Sequence, residues 1–219
     1  MSCLSGKGGV YGMYFDDDDN VVDYKMLLTG TSRNRPGGLS LVFSKTMNEK
    51  HVLFTKFVFL LLLVAGSTPW GTFVSCEKSG CWQLDPDPLG AHHSKPEITK
   101  LGGNRNNYVA CDDRNPSQPI FFVTVDHKSG ALGRYIPRPV FPVANWDSLH
   151  ARGGKTEYLV FLDDRKFIWS ANKERGRVSQ QNHYPMAEGL SFSGGLLYFV
   201  SKRNLYVLDL DKGKISKTA

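Results

Sequence analysis

A thiol and a carboxylate stand side by side at Cys76 and Glu77, at the end of the segment Thr68-Pro69-Trp70-Gly71-Thr72-Phe73-Val74-Ser75-Cys76-Glu77. A thiolate is a soft donor suited to a transition metal, and a carboxylate suits a harder cation. Adjacent strand residues point to opposite faces, so the two serve one site only where the strand ends or bulges. For an arbitrary Cys-Glu pair, a buried cysteine beside a solvent-facing glutamate is the simpler arrangement. The cysteines are Cys3, Cys76, Cys81 and Cys111; none has CxxC spacing, and no Cys/His set reads as a structural zinc site. Cys76 and Cys81 flank the turn Lys78-Ser79-Gly80, across which a hairpin disulfide can close.

The remaining polar clusters read more simply as structure. Asp16 to Asp19 lack the spaced ligands and the glycine of an EF-hand loop, and Asp/Asn turn chemistry accounts for them. Ser5-Gly6-Lys7-Gly8-Gly9 lacks the phosphate-loop pattern. His92-His93 falls in a Pro/Gly/Asp-rich loop and His127 in a hairpin turn. Asp112-Asp113-Arg114 precedes Asn115-Pro116 and reads as an ion-paired corner. Ala171-Asn172-Lys173-Glu174-Arg175 reads as a polar loop, and Trp82, Trp146 and Trp169 as packing residues. No GxSxG elbow or Ser/His/Asp order supports a serine hydrolase.

The elements that would position these residues are short strands separated by turn signals, and no convincing amphipathic helix appears. One unit recurs: an aromatic-Val-Ser/Thr strand, a polar turn, and an apolar strand ending in Asp or Pro. It is seen at Phe73-Val74-Ser75-Cys76 with Cys81-Trp82-Gln83-Leu84-Asp85-Pro86, at 121–125 with 131–137, and at 198–201 with 205–211. Residues 157–161 and 165–169 supply a further strand pair, and 10–15 with 21–28 a first hairpin. Such units predict an all-β chain of antiparallel sheets, β-propeller-like, with a sandwich as the alternative. At roughly 40–50 residues per blade the chain holds about four to five blades, which makes it one partial propeller domain over residues 1–219.

The bulk properties set bounds. The chain has 219 residues, 41% hydrophobic and 22% charged, an ordinary globular composition. Its net charge of +6 is scattered rather than gathered in an aromatic-interleaved stripe, which argues against nucleic-acid binding. The apolar run Phe57-Val58-Phe59-Leu60-Leu61-Leu62-Leu63-Val64-Ala65 falls short of the ~20 residues that span a bilayer, so no membrane span is expected. Residues 1–9 lack an apolar signal core, so the protein reads as intracellular or as starting inside a longer one.

Several segments together resemble the PhoX-type alkaline phosphatase family. They are Asp23-Tyr24-Lys25-Met26-Leu27-Leu28-Thr29-Gly30-Thr31-Ser32-Arg33-Asn34, the 68–77 segment, Cys81-Trp82-Gln83-Leu84-Asp85-Pro86, and Val109-Ala110-Cys111-Asp112-Asp113-Arg114-Asn115-Pro116. Residues 121–137, Tyr184-Pro185-Met186-Ala187-Glu188-Gly189 and 197–211 complete the set in order. The resemblance implies a six-bladed β-propeller that cleaves phosphate monoesters at an axial iron and calcium site. It implies Cys76 as an iron thiolate, Glu77 as a neighbouring metal carboxylate and Glu188 as a further carboxylate ligand. The implied partners are small phosphate esters, and the family's common export implies a secreted or periplasmic setting. A non-catalytic propeller fragment that binds calcium or a protein is the alternative.

This chain departs from the family pattern in three places. Asn107-Tyr108 stand where the family has a glutamate, and Met186 where one branch has a phosphate-binding arginine. The N-terminal blade that supplies another ligand lies outside the chain. Residues 35–66 carry no resemblance; they read as a retained intron or as a lineage-specific insertion.

Overall fold

The computed structural model describes residues 8–16, 18, 20–31, 39–45, 54–60, 65–77, 80–87, 89–93, 95–102 and 106–218. Two hairpins open it. β1 (Gly8–Phe15) pairs with β2 (Val21–Thr31), and β3 (Leu39–Lys45) pairs with β4 (Phe54–Leu60). The first turn is closed by Asp16, whose Oδ1 accepts from the backbone N–H groups of Asp18 at 3.0 Å and Asn20 at 2.8 Å. These bonds hold its carboxyl below the ordinary range, as an Asx turn does. The acidic run is thus turn chemistry at Asp16. The segment 35–66 contributes the β3–β4 hairpin, and β4 lies against β1.

Three antiparallel meanders follow. The first has the order β5 (Ala65–Ser67), β6 (Phe73–Glu77), β7 (Gly80–Leu84), β8 (Glu97–Ile98). The middle one runs β9 (Asn106–Asp112), β10 (Ile120–Val125), β11 (Gly133–Ile136), β12 (Lys155–Phe161), β13 (Phe167–Ser170). The last runs β14 (Ala187–Ser193), β15 (Leu196–Ser201), β16 (Asn204–Asp209), β17 (Lys214–Thr218). The hairpins expected from the sequence are β6–β7, β10–β11, β12–β13 and β15–β16. The chain is mostly β with antiparallel sheets, and among the described residues none of the sheets is closed on itself.

The meanders stack face to face through their first strands: β5 and β6 meet β9, and β9 and β10 meet β14. Strand β10 shows why its sequence, Ile-Phe-Phe-Val-Thr-Val, is apolar without alternation. Phe121 and Val123 pack with Val74, Cys76 and Cys81 of the first meander. Phe122, on the opposite face, packs with Leu197, Phe199 and Leu208 of the last. A strand covered on both faces needs apolar side chains at successive positions. Gly66 permits the closest approach between first strands, since a Cβ there would lie 2.6 Å from the Val109 carbonyl oxygen.

Among the described residues one α-helix and a short 3-10 turn at Trp146–Leu149 interrupt the β pattern. α1 (Lys173–His183) takes in Lys173, Glu174 and Arg175 of the stretch 171–175 that the sequence presents as a polar loop. Asn172 caps it, its side chain accepting from the N–H groups of Glu174 at 2.9 Å and Arg175 at 3.2 Å. The buried face of α1 is Gly176, Ser179 and Gln180, spaced as one helical stripe but not apolar. Its anchors are hydrogen bonds instead. Gln180 Oε1 accepts from Leu132 N–H at 2.9 Å, and its Nε2 donates to the carbonyls of Val125 at 2.8 Å and His127 at 2.9 Å. Ser179 Oγ accepts from Phe161 N–H at 2.8 Å. Gly176 lets the helix close on Tyr158, whose Cβ would be 2.6 Å from an added methyl. Just beyond the helix, Tyr184 is fully buried and donates to the Leu159 carbonyl at 2.7 Å.

Candidate functional site

The 68–77 segment is first of all a turn. Thr68 N–H donates to the Thr72 carbonyl at 2.8 Å, Thr72 N–H donates to Thr68 Oγ1 at 3.0 Å, and the two hydroxyls are 2.8 Å apart. Gly71 sits at φ +82°, a left-handed conformation that costs other residues energy. Trp70 lies edge-on to Phe121 with ring centroids 5.9 Å apart. The Thr, Trp and Gly positions of this motif are therefore accounted for by turn geometry and packing on the middle meander.

At the end of β6, Cys76 is directly opposite Cys81 on β7, and the two form a disulfide. The sulfur of Cys76 is buried among Val74, Phe121, Val123 and Leu149, in the apolar layer between the first and middle meanders. Glu77 is the last residue of β6, opposite Gly80; its side chain lies outside the described residues. Glu188 is half-buried on β14, opposite Val200, where the pairing with β15 shifts register before Leu190. Cys76 thus belongs to the first meander's interface with the middle one, and Glu188 to the last meander.

An iron and calcium centre was tested against these donors. A disulfide sulfur is not a thiolate, and ligation by Cys76 first requires reduction of the Cys76–Cys81 bond. Among the described residues no three His, Cys, Asp or Glu side chains are grouped to hold a metal ion. The donor set, as it stands, does not fit the centre. Met186, where the resemblance would place an arginine, is exposed at φ +60°, and its N–H donates to the His127 carbonyl at 3.2 Å.

The other singled-out clusters resolve into structural contacts. Arg114 holds the buried Asp112 through Nε at 2.9 Å and Nη2 at 2.8 Å, and reaches Asp211 across to the last meander at 2.8 Å. That is the ion-paired corner expected at 112–114. His92 stacks on Trp146 at 4.0 Å, and Trp146 Nε1 donates to Glu97 at 3.0 Å. Cys111 is the free thiol among the described residues; burial, then the charges of Asp113 and Asp112, push its pKa far above the ordinary range. Both causes favour its neutral thiol over the thiolate.

A cleft of about 630 Å³ opens elsewhere, between the loop at Lys100 to Gly102, the β10–β11 hairpin and the start of α1. Its wall is apolar at Leu101, Val123 and Val125, and aromatic at Tyr135 and Tyr158. Burial raises the pKa of both tyrosines, so they are neutral hydroxyls near neutral pH. Lys100, His127, Arg134, Lys173 and Arg177 add basic groups; Glu174 is the lining carboxylate. His127, which the sequence places in a solvated turn, is half-buried here, with Nδ1 3.2 Å from Ser129 Oγ. The lining comes from distant chain segments, and no local motif joins them. The cue was α1, whose polar buried face conceals it from hydropathy patterning.

Compared with protein-family models, curated proteins and solved structures, the chain matches none.

Proposed function

We propose that this chain is a propeller-type module of PhoX-type phosphatase ancestry that, with Cys76 joined to Cys81, binds calcium or a protein partner without hydrolysing phosphate esters. The observation that carries the reading is the state of Cys76. The sulfur that the resemblance assigns to iron is tied to its cross-strand neighbour and packed in an apolar layer. Successive meanders stacked through their first strands support the propeller part of the reading. The missing arginine at Met186 and the missing glutamate before Val109 support the loss of turnover.

The phosphatase itself is the second reading, favoured by Glu188. That carboxylate is half-buried on a first strand, beside a register shift that re-aims side chains. In this reading reduced Cys76, Glu77 and Glu188 would hold iron and calcium, which neutralise phosphate charge and activate an oxygen nucleophile when bound.

The experiment is an assay with p-nitrophenyl phosphate, supplied with ferrous iron and calcium, before and after treatment with a reductant. The module reading expects no turnover in either state. Turnover by the oxidised protein overturns it. Turnover that appears on reduction and vanishes in Cys76→Ala establishes the second reading instead.

A further inference from the structure

The cleft between α1 and the β10–β11 hairpin combines an apolar floor with basic side chains. Its volume, about 630 Å³, lies within the range of small-molecule sites, roughly 300–1,000 Å³. The floor combines Leu101, Val123 and Ala131 with the ring of Tyr135, so it accepts an apolar body. Val123 and Ala131 are buried, Leu101 is 7% exposed, and Tyr135 5%, which makes the floor rigid rather than a loose surface patch.

The charges around it are unequal. Arg177 is paired with the lining carboxylate Glu174 at 3.1 Å, and its Nε donates to the Ser129 carbonyl at 3.2 Å. Arg134 is held by Glu157 at 2.6 Å and lies 4.7 Å from the centre of the Trp169 ring. The cations of these two arginines are thus largely compensated. Lys100 and Lys173 line the same cleft and have no carboxylate partner among the described residues. Lys173 leans toward Tyr158, with Nζ 5.9 Å from the ring centroid. The first turn of α1 faces the cleft and adds its positive end to the same side. An apolar floor beneath two uncompensated ammonium groups is complementary to one kind of guest.

We infer that this cleft binds a small organic anion, with its acid group between Lys100 and Lys173 and an aromatic body on Leu101, Val123 and Tyr135. The floor residues Leu101, Val123 and Tyr135 share the apolar layer that also holds Cys76, but the inference uses neither Cys76 nor Glu188 as a ligand and stands whether or not the chain hydrolyses phosphate esters. Selectivity comes from the pairing of the two lysines with charge, so a neutral analogue of the same shape loses most of its affinity. Binding also weakens with added salt, since the lysine heads are exposed and screened over a Debye length of about 8 Å at physiological ionic strength.

The test uses the full chain and three probes: 2-naphthoate, its neutral counterpart 2-naphthamide, and inorganic phosphate. Titrations are followed by backbone amide NMR and by calorimetry. The expected result is 2-naphthoate binding with shifts at Leu101, Val123 and Ala131, about tenfold weaker binding of 2-naphthamide, and about tenfold loss in Lys100→Ala/Lys173→Ala. Inorganic phosphate, which lacks the apolar body, is expected to bind weakest. Both lysines are exposed, so the double variant keeps the fold, and circular dichroism verifies this. The inference is overturned by equal binding of the amide and the carboxylate, by unchanged affinity in the double variant, by shifts outside the cleft, or by no binding at millimolar probe.

Discussion

Replacing Gln180 by methionine keeps the volume of the side chain and removes its hydrogen bonds, so it isolates what those bonds do. Gln180 is fully buried and makes one accepting and two donating bonds. The two carbonyls are not stranded by the change. Val125 O still accepts from His127 N–H at 2.8 Å, and His127 O from Gly130 N–H at 3.1 Å and Met186 N–H at 3.2 Å. The Leu132 N–H loses its Gln180 acceptor, and a buried unsatisfied donor costs roughly 1–3 kcal/mol. Adding a fraction of a kcal/mol for each lost donation gives about 3 kcal/mol in total. Against a typical stability of about 5–15 kcal/mol, that is a large share. In urea, with a slope of about 2 kcal/mol per molar, the midpoint is expected to fall by about 1.5 M at unchanged slope. Hydrogen exchange at Leu132 should accelerate with it. A midpoint shift below about 0.5 M would show that α1 is held by its neighbours and not by Gln180.

Three further outcomes follow from the same contacts. Gly66→Ala pushes a methyl to 2.6 Å from the Val109 carbonyl oxygen and is expected to cost about 2 kcal/mol in a denaturant titration; a neutral result would refute the close strand contact. The Glu157 carboxyl feels burial, which raises its pKa, but bonds to Arg134 and Lys155 outweigh it and hold the pKa below the ordinary 4.5. A depressed carboxylate stabilises the fold above its unfolded pKa, and that contribution disappears as pH falls through the folded value. Glu157→Gln should therefore destabilise at pH 7 and converge with the parent in melts below the ordinary carboxylate range; a pH-independent difference refutes the ion-pair account. Cys111, half-buried beside Asp113 and Asp112, should react slowly with a maleimide from pH 7 to pH 9 and rapidly in denaturant when Cys3 is replaced by serine; fast labelling of that folded variant would refute the raised thiol pKa.

The hairpins were legible because their signals are local: an aromatic-Val-Ser/Thr run, a polar turn, and a second apolar run leave one reading. β10 was legible as a strand of such a unit, while its cover on both faces shows only in the packing of Phe121 and Phe122 against opposite meanders. The helix was not legible. Its anchoring face, Gly176, Ser179 and Gln180, lacks the apolar stripe that reveals a docked helix, because it bonds to backbone rather than packing on side chains. Cys76 was legible as a cross-strand partner of Cys81 and also as a metal ligand; one spacing carries both. The cleft escaped because the loops 100–102 and 127–131 and the start of α1 at 172–174 meet only in three dimensions.

The middle meander is covered on one face by the first and on the other by the last. Its energetics are then those of an array with nearest-neighbour coupling, in which the middle unit takes part in both interfaces between the described meanders. The slowest amide exchange is therefore expected at Phe121, Phe122 and Val123, which serve both interfaces. A lesion in β10 uncouples the whole array.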